Sequence, residues 1–349
     1  MIMRALVFTG PGRAEVLPVP VPVAGDGQVV VDVERAGVCG TDVELFTGEM
    51  SYLASGRSSY PLRPGHEWAG VVTAAGPGVD PSWLGRRVTG DTMIACGTCR
   101  RCLAGRHHVC AAMREIGIAD GLPGALAEKL AFPARYLHAL PDAVDATVGA
   151  LVEPGGNAQR AVAAAGLVPG ERLLVLGTGT IGLLAAMIAR ARGIEVHLLG
   201  QHLGFARSLG FDRAWTLPEL PDLAWDAVVD ASNAPSLPGL AVRLVEPGRR
   251  VVYIGLAGTP STVDTRELVL KDVTAVGILG ASAGLEDVAG AYARRLVDPE
   301  PLVAAVVGLD EVAGVLAGRR PPGAGDGPKI LVDPTRQRPS RFTQSQARM

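Results

Sequence analysis

The sequence predicts an α/β protein in two parts: a β-rich part, then a parallel sheet covered on both faces. Three observations carry this. Residues up to about 155 are rich in Val, Gly and Pro, with short strand-like runs and little helical periodicity. From about residue 156, apolar strand-like runs alternate with helical ones, the pattern of a parallel sheet. At that change a glycine-rich turn, Gly177-Thr178-Gly179-Thr180-Ile181-Gly182, follows a buried strand and opens a helix.

In the first part, Ala5–Phe8, Val29–Gly37 and Gly70–Gly76 read as strands closed by turns. In the second, strands are expected at Arg172–Gly177, after Gly193, and near Asp226–Ser232, Arg250–Gly255 and Val273–Leu279, with helices at Ile181–Arg192 and around Phe205. Beyond about residue 295 the pattern is mixed again, and PKILVDP reads as a strand able to rejoin the first part. The expected division is 1–155, 156–294 and 295–335, followed by a polar, basic tail over 336–349.

A chain of 349 residues can bury two cores. A formal charge of -2 gives no footprint for nucleic acid or an anionic membrane. The apolar start of MIMRALVFTG is too short for a signal peptide, and Leu183–Ala189 is too short to span a bilayer. A cytoplasmic protein acting on a small molecule is expected.

Four of the five cysteines, Cys96, Cys99, Cys102 and Cys110, fall in CGTCRRCLAGRHHVC. This spacing suits a four-thiolate cage for a tetrahedral metal, zinc above all. A closed cage leaves no open position, so this ion is expected to be structural. Disulfides are the alternative, and the chain does not otherwise read as secreted. His107 and His108 lie inside the lobe and are expected at its surface. The fifth cysteine, Cys39, precedes Gly40-Thr41-Asp42 and lies upstream of Gly65-His66-Glu67, which suggests a second metal site with a different job.

Each glycine of the turn has a physical task. Gly177 permits the tight bend, Gly179 lets backbone approach a pyrophosphate, and Gly182 lets helix and strand pack closely. The helix then offers unpaired N–H groups to the phosphates. Where an NAD-selective site usually carries Asp or Glu, the next strand ends in Gly200-Gln201-His202. Nothing there repels a 2′-phosphate, so NADP is expected over NAD.

Together these motifs resemble the zinc-dependent alcohol dehydrogenases of the medium-chain dehydrogenase/reductase family, over residues 3–333. The resemblance implies a GroES-like catalytic domain joined to a Rossmann domain, with two zinc ions per chain. It implies that Cys39 and His66 bind the catalytic zinc, with Glu67 and Glu153 both candidates for the remaining protein ligand. Glu153 stands where liver-type members carry a second cysteine, a departure similar to the sorbitol, threonine and glucose dehydrogenase branch. By the same resemblance Asp42 orients His66, Thr41 begins a proton relay, and Glu44 either finishes it or is a solvated charge. Phe46, Trp68, Thr92, Glu153 and Asn157 become candidate pocket residues beside Thr41. This largely polar set suits the secondary alcohol of a sugar, polyol, cyclitol or amino alcohol. Simple aliphatic or aromatic alcohols are the alternative, and a zinc-free reductase or non-catalytic role a remote one. A homotetramer is implied, with a dimer next.

Overall fold

The structure is a computed structural model that describes residues 1–201 and 203–337. His202, and the expected tail from residue 338 onward, lie outside the described residues.

The N-terminal part opens with a hairpin, β1 (Ile2–Gly10) and β2 (Arg13–Pro20). β3 (Gln28–Gly37) then runs into helix α1 (Gly40–Thr47). Next come β4 (Glu67–Ala75), β5 (Arg87–Gly90) and the short pair β6 (Met93–Ile94) and β7 (Arg114–Glu115), which flanks the cysteine lobe. β8 (Lys129–Pro133) and β9 (Leu137–Ala139) come after it. Helix α2 (Val152–Ala165) carries the chain out of this part.

The second sheet holds β10 (Arg172–Leu176), β11 (Glu195–Leu199), β12 (Ala214–Trp215), β13 (Trp225–Asp230), β14 (Val245–Tyr253) and β15 (Thr274–Gly277). Their spatial order is β12-β11-β10-β13-β14-β15, all parallel, the order of a Rossmann sheet. Strand order reverses between β10 and β13, so the ligand crevice lies beyond the carboxyl ends of those strands. Helix α3 (Thr180–Ala191) leaves the glycine turn after β10, and its apolar face, Leu183 to Ala189, is buried against the sheet. Helix α4 (Leu285–Ala293) comes after β15 and packs on α2, where the Tyr292 hydroxyl donates to the Leu151 carbonyl.

The chain then returns. β16 (Val303–Gly308) and β17 (Lys329–Asp333) join the first sheet, ordered β16-β17-β3-β4-β5-β9, with β8 also paired to β3. Gly37 at the end of β3 faces Glu67 at the start of β4, and Leu331 of β17 faces Gly37 from the other side. The segment leading to Cys39, the His66-Glu67 step and Lys329 therefore meet at one corner of one sheet. Gly37 must lack a side chain, because a Cβ there would strike the Glu67 carboxylate.

Two pocket residues expected from the sequence are core residues instead. Trp68 is wholly buried, edge-on to Phe132 with ring centroids 5.1 Å apart, and so does not line an open pocket. Phe46 faces the same core, 5.9 Å from Phe8. The strand alternation of β4 turns Trp68 inward when Glu67 faces the corner, and Phe46 lies on the apolar face of α1.

Candidate metal and dinucleotide site

The four lobe cysteines converge. Their sulfurs lie 3.5 Å (Cys99–Cys102), 3.7 Å (Cys99–Cys110), 3.5 Å (Cys110–Cys96) and 3.9 Å (Cys96–Cys102) apart. Four sulfurs at about 2.3 Å from one tetrahedral ion would stand roughly 3.8 Å from one another. All four are free thiols, so the disulfide alternative does not describe this structure. Backbone N–H groups of Cys99 and Ala112 point at the sulfurs of Cys96 and Cys110, each at 3.4 Å.

The lobe is docked through its histidines, which were expected at its surface and are half-buried there. His107 Nε2 is 3.3 Å from the buried Asp91 carboxylate, which His138 also approaches at 3.3 Å. Arg160 on α2 donates to the Leu279 and Gly280 carbonyls after β15, and its other Nη contacts His108 at 3.2 Å. Burial works against an ionised Asp91, yet His107, His138 and Ser282 hold its carboxyl well below the usual range.

Ligand atoms of Cys39, His66 and Glu67 lie within 4.8 Å of one another. Cys39 caps the N-terminus of α1 and its N–H donates to Asp42 Oδ2 at 2.9 Å. Asp42 has no exposed surface, and its Oδ1 stands 3.8 Å from His66 Nδ1. Burial opposes an imidazolium at His66, but Cys39 and Asp42 outweigh it and raise its pKa well above the ordinary value. This is a donor set of one thiol, one imidazole and one carboxylate, the chemistry of a zinc site with an open position.

Glu153 opens α2 and is buried, outside that tightest cluster but coupled to His66 by charge. Thr92 Oγ1 donates to Glu153 Oε1 at 3.2 Å and Asn157 Nδ2 donates to the same oxygen at 2.9 Å. Burial pushes the Glu153 carboxyl up to about 7. Thr92, Glu153 and Asn157 thus form one polar wall. Thr41 is half-buried in the first turn of α1. Glu44 is one turn further on, its pKa raised by burial and by Glu49, and its side chain makes no hydrogen bond among the described residues.

The wall of Thr92, Glu153 and Asn157 lies close to the loop that follows β15. Asp91 precedes Thr92 and meets Ser282, from the loop after β15. Gly156, one turn from Glu153, packs against Ala281 of that loop.

The glycine turn has the backbone that its sequence implies. Gly177 has φ +102° and a Cβ would press on Ala231. A Cβ on Gly182 would collide with the Gly177 carbonyl. Gly179 has open space where a Cβ would be, the room a pyrophosphate would use. Thr180 and Ile181 begin α3, and Thr178 Oγ1 donates to the Gln201 carbonyl at 2.9 Å. Gly200 has a packing reason of its own: a Cβ would lie 2.7 Å from Thr178 Cγ2. Arg207 donates to the Ala214 carbonyl at 2.9 Å, which commits it to the fold.

Sequence reasoning missed Lys329. Its Nζ lies 2.6 Å from Glu67 Oε2 and 3.0 Å from the Val38 carbonyl, fully within the corner. Burial works against this ammonium, but Glu67 and Cys39 outweigh it and raise its pKa. No local signal marks it, since 262 positions separate it from Glu67. Asp91 was missed too; Asp-Thr after a strand is too common a pair to stand out.

The family model for the alcohol dehydrogenase GroES-like domain matches residues 25–142. An L-threonine 3-dehydrogenase from Saccharopolyspora erythraea is 35% identical over 293 residues, 80% of this chain and 84% of that one. Among solved structures, a cobalt- and zinc-bound thermostable alcohol dehydrogenase from Pyrobaculum aerophilum is 28% identical with a TM-score of 0.84, over 96% of this chain and 100% of the other. A proposed zinc-binding dehydrogenase from Sinorhizobium meliloti 1021, bound to NADP, matches with the same TM-score and 28% identity, over 96% and 100% of the two chains. A catalytic-type donor cluster, a four-thiol lobe and a dinucleotide turn on a GroES-like plus Rossmann frame agree with these likenesses, and the chain belongs to the zinc-dependent alcohol dehydrogenases of the medium-chain dehydrogenase/reductase family.

Proposed function

We propose that this chain oxidises the secondary alcohol of a polar small molecule to a ketone, or runs the reverse, with NADP preferred over NAD. The observation that carries the substrate class is the polar wall of Thr92, Glu153 and Asn157 beside Cys39 and His66. A wall built to pair with hydroxyl or amino groups discriminates against analogues lacking them. Its likeness to an L-threonine 3-dehydrogenase supports an amino alcohol within that class.

Cys39 and His66 would hold the catalytic zinc, with Glu67 or Glu153 adding a carboxylate. The four lobe cysteines would hold a structural zinc. When bound, the catalytic ion supplies Lewis acidity to the substrate oxygen, and the dinucleotide supplies the hydride acceptor. The protein's own groups do the rest. Thr41 takes the hydroxyl proton and Glu44 passes it to solvent. Asp42 keeps the imidazole of His66 turned to the site. Thr92 and Asn157 orient Glu153. Gly179 and the first N–H groups of α3 would receive the pyrophosphate. Gly200 would leave a 2′-phosphate unopposed, and the exposed Gln201 would be the neighbouring donor to it.

A homotetramer, or failing that a dimer, fits the edge of the second sheet. β15 ends that sheet without a further strand among the described residues, and nearby Val269 and Leu270 are 79% and 85% exposed. Among the described residues no helix is long and apolar enough to cross a membrane, and a cytoplasmic location fits the free thiols.

Initial rates against threonine, other amino alcohols, polyols, sugar alcohols and simple alcohols, with both cofactors, test this. Turnover confined to polar secondary alcohols supports the reading. Preference for simple aliphatic alcohols overturns the substrate class. Metal analysis giving two zinc ions per chain supports both sites, and none would mark a reductase.

A further inference from the structure

Arg63 carries a charge that nothing in the fold answers. It follows Leu62, which bridges to Phe8 of β1. Its Nε is buried and has no hydrogen-bond partner among the described residues. Burial draws its pKa down to about 10, and no carboxylate is close enough to oppose that. The group is therefore still a guanidinium at neutral pH. The acids of the neighbouring segments are engaged elsewhere. Glu115 and Asp120 both pair with Arg57, at 3.1 and 2.8 Å. Glu15, opposite Val7 in the β1–β2 hairpin, accepts from the Thr9 hydroxyl at 2.8 Å.

Arg63 lines a cavity of about 310 Å³ between that hairpin and the segments 57–63 and 118–123. Its walls are mainly apolar, with Val7, Val19, Leu62 and Ile118 among them. Such a volume is at the lower end for small-molecule sites, which combine apolar walls with a few placed polar groups. A buried cation without a partner is costly. The edge of a guanidinium takes a carboxylate through two parallel bonds. An apolar body bearing one carboxylate matches both the walls and the charge. None of the lining residues belongs to the Cys39 cluster or to the wall of Thr92, Glu153 and Asn157.

We propose that this cavity is a second ligand site, separate from the alcohol site, that binds a small organic carboxylate with its acid group on Arg63 and its apolar part against Val7, Val19, Leu62 and Ile118.

Calorimetric titration with hexanoate tests this, on the zinc-loaded full chain and on Cys39→Ala, which disables the proposed alcohol site. Both should bind a single hexanoate in the cavity with a Kd below about 1 mM. Hexanol, with the same tail and no charge, should bind at least about tenfold more weakly, as should hexanoate to Arg63→Met. Arg63→Lys keeps the charge without the fork and should lose less. Val19→Phe fills the cavity, spares Arg63 and should also weaken hexanoate. Zinc content and dinucleotide binding should stay parental in Arg63→Met; should that variant not fold, Val19→Phe and hexanol still decide. The proposal is overturned if the parent does not bind hexanoate, or if folded Arg63→Met or Val19→Phe binds it as the parent does. Loss of binding in Cys39→Ala would place the carboxylate at the alcohol site and equally overturn it. Inorganic phosphate binding as tightly as hexanoate would overturn the organic-acid class.

Discussion

Asp42 Oδ1 lies 3.8 Å from His66 Nδ1, and neither buried atom has a hydrogen-bond partner among the described residues. The two atoms face each other across that gap. The other Asp42 oxygen is already held by the Cys39 N–H, so one carboxylate touches both metal-ligand candidates. Partners of this kind set the tautomer and basicity of a ligating imidazole. Asp42→Asn keeps an acceptor for the Cys39 N–H but removes the charge facing His66. It should weaken metal retention at the Cys39 site about 10- to 100-fold, with dinucleotide binding unchanged. Metal titration and cofactor fluorescence measure the two separately.

Cys39→Ala and His66→Ala should each abolish hydride transfer while the dinucleotide still binds, because the Gly177–Gly182 turn belongs to a different sheet. Glu153→Ala should be milder than either. Steady-state rates alongside cofactor titration check this, and unchanged turnover in His66→Ala would refute the mechanism.

In the lobe, Cys99→Ser opens a cage whose metal affinity orders a loop with little core of its own. The expected result is one fewer metal ion per chain and a lower melting temperature. A variant with full zinc content and parental melting would rule the cage out.

Cofactor choice needs two substitutions rather than one. A side chain on Gly200 meets Thr178, so Gly200→Asp alone disturbs the turn. Combined with Thr178→Ala, the new carboxylate can accept from a ribose 2′-hydroxyl and repel a 2′-phosphate. A hydrogen bond to a charged group contributes about 1.5–3 kcal/mol. The NAD-to-NADP ratio of kcat/KM should therefore rise more than about tenfold. Initial rates with both cofactors give the ratio for each variant.

The Asp91 cluster predicts a pH dependence of stability. Burial works against the imidazolium of His138, but Asp91 and Glu286 outweigh it and the net shift is upward. Its stabilisation is complete below about pH 6.5 and is lost as pH rises through the raised folded value. Asp91 is shifted downward. Its stabilisation is complete above about pH 3.9 and is lost as pH falls through the lowered folded value. Asp91→Asn should cost about 1–3 kcal/mol, most between roughly pH 4 and 6.5, with a shrinking difference at higher pH. Denaturant titrations of parent and variant across this range provide the measurement.

What the sequence determined by itself was local. The four lobe cysteines span 15 positions of the chain, Cys96 to Cys110, and their spacing alone implies a cage. The glycine turn declares itself because strand, bend and helix are consecutive. Cys39 and His66 were legible by their surroundings, although nothing local says that they meet. Their meeting depends on the Gly37–Glu67 register of β3 and β4. Only the tertiary structure decided what β17 brings to that corner. Lys329 reaches Glu67 because Leu331 pairs with Gly37, a contact between distant strands that no spacing encodes. The same nonlocal packing turned Trp68 and Phe46 into core and tied His107 to Asp91. Residue type and spacing report chemistry within a segment; which segments share a corner is settled by strand register and burial across the whole chain.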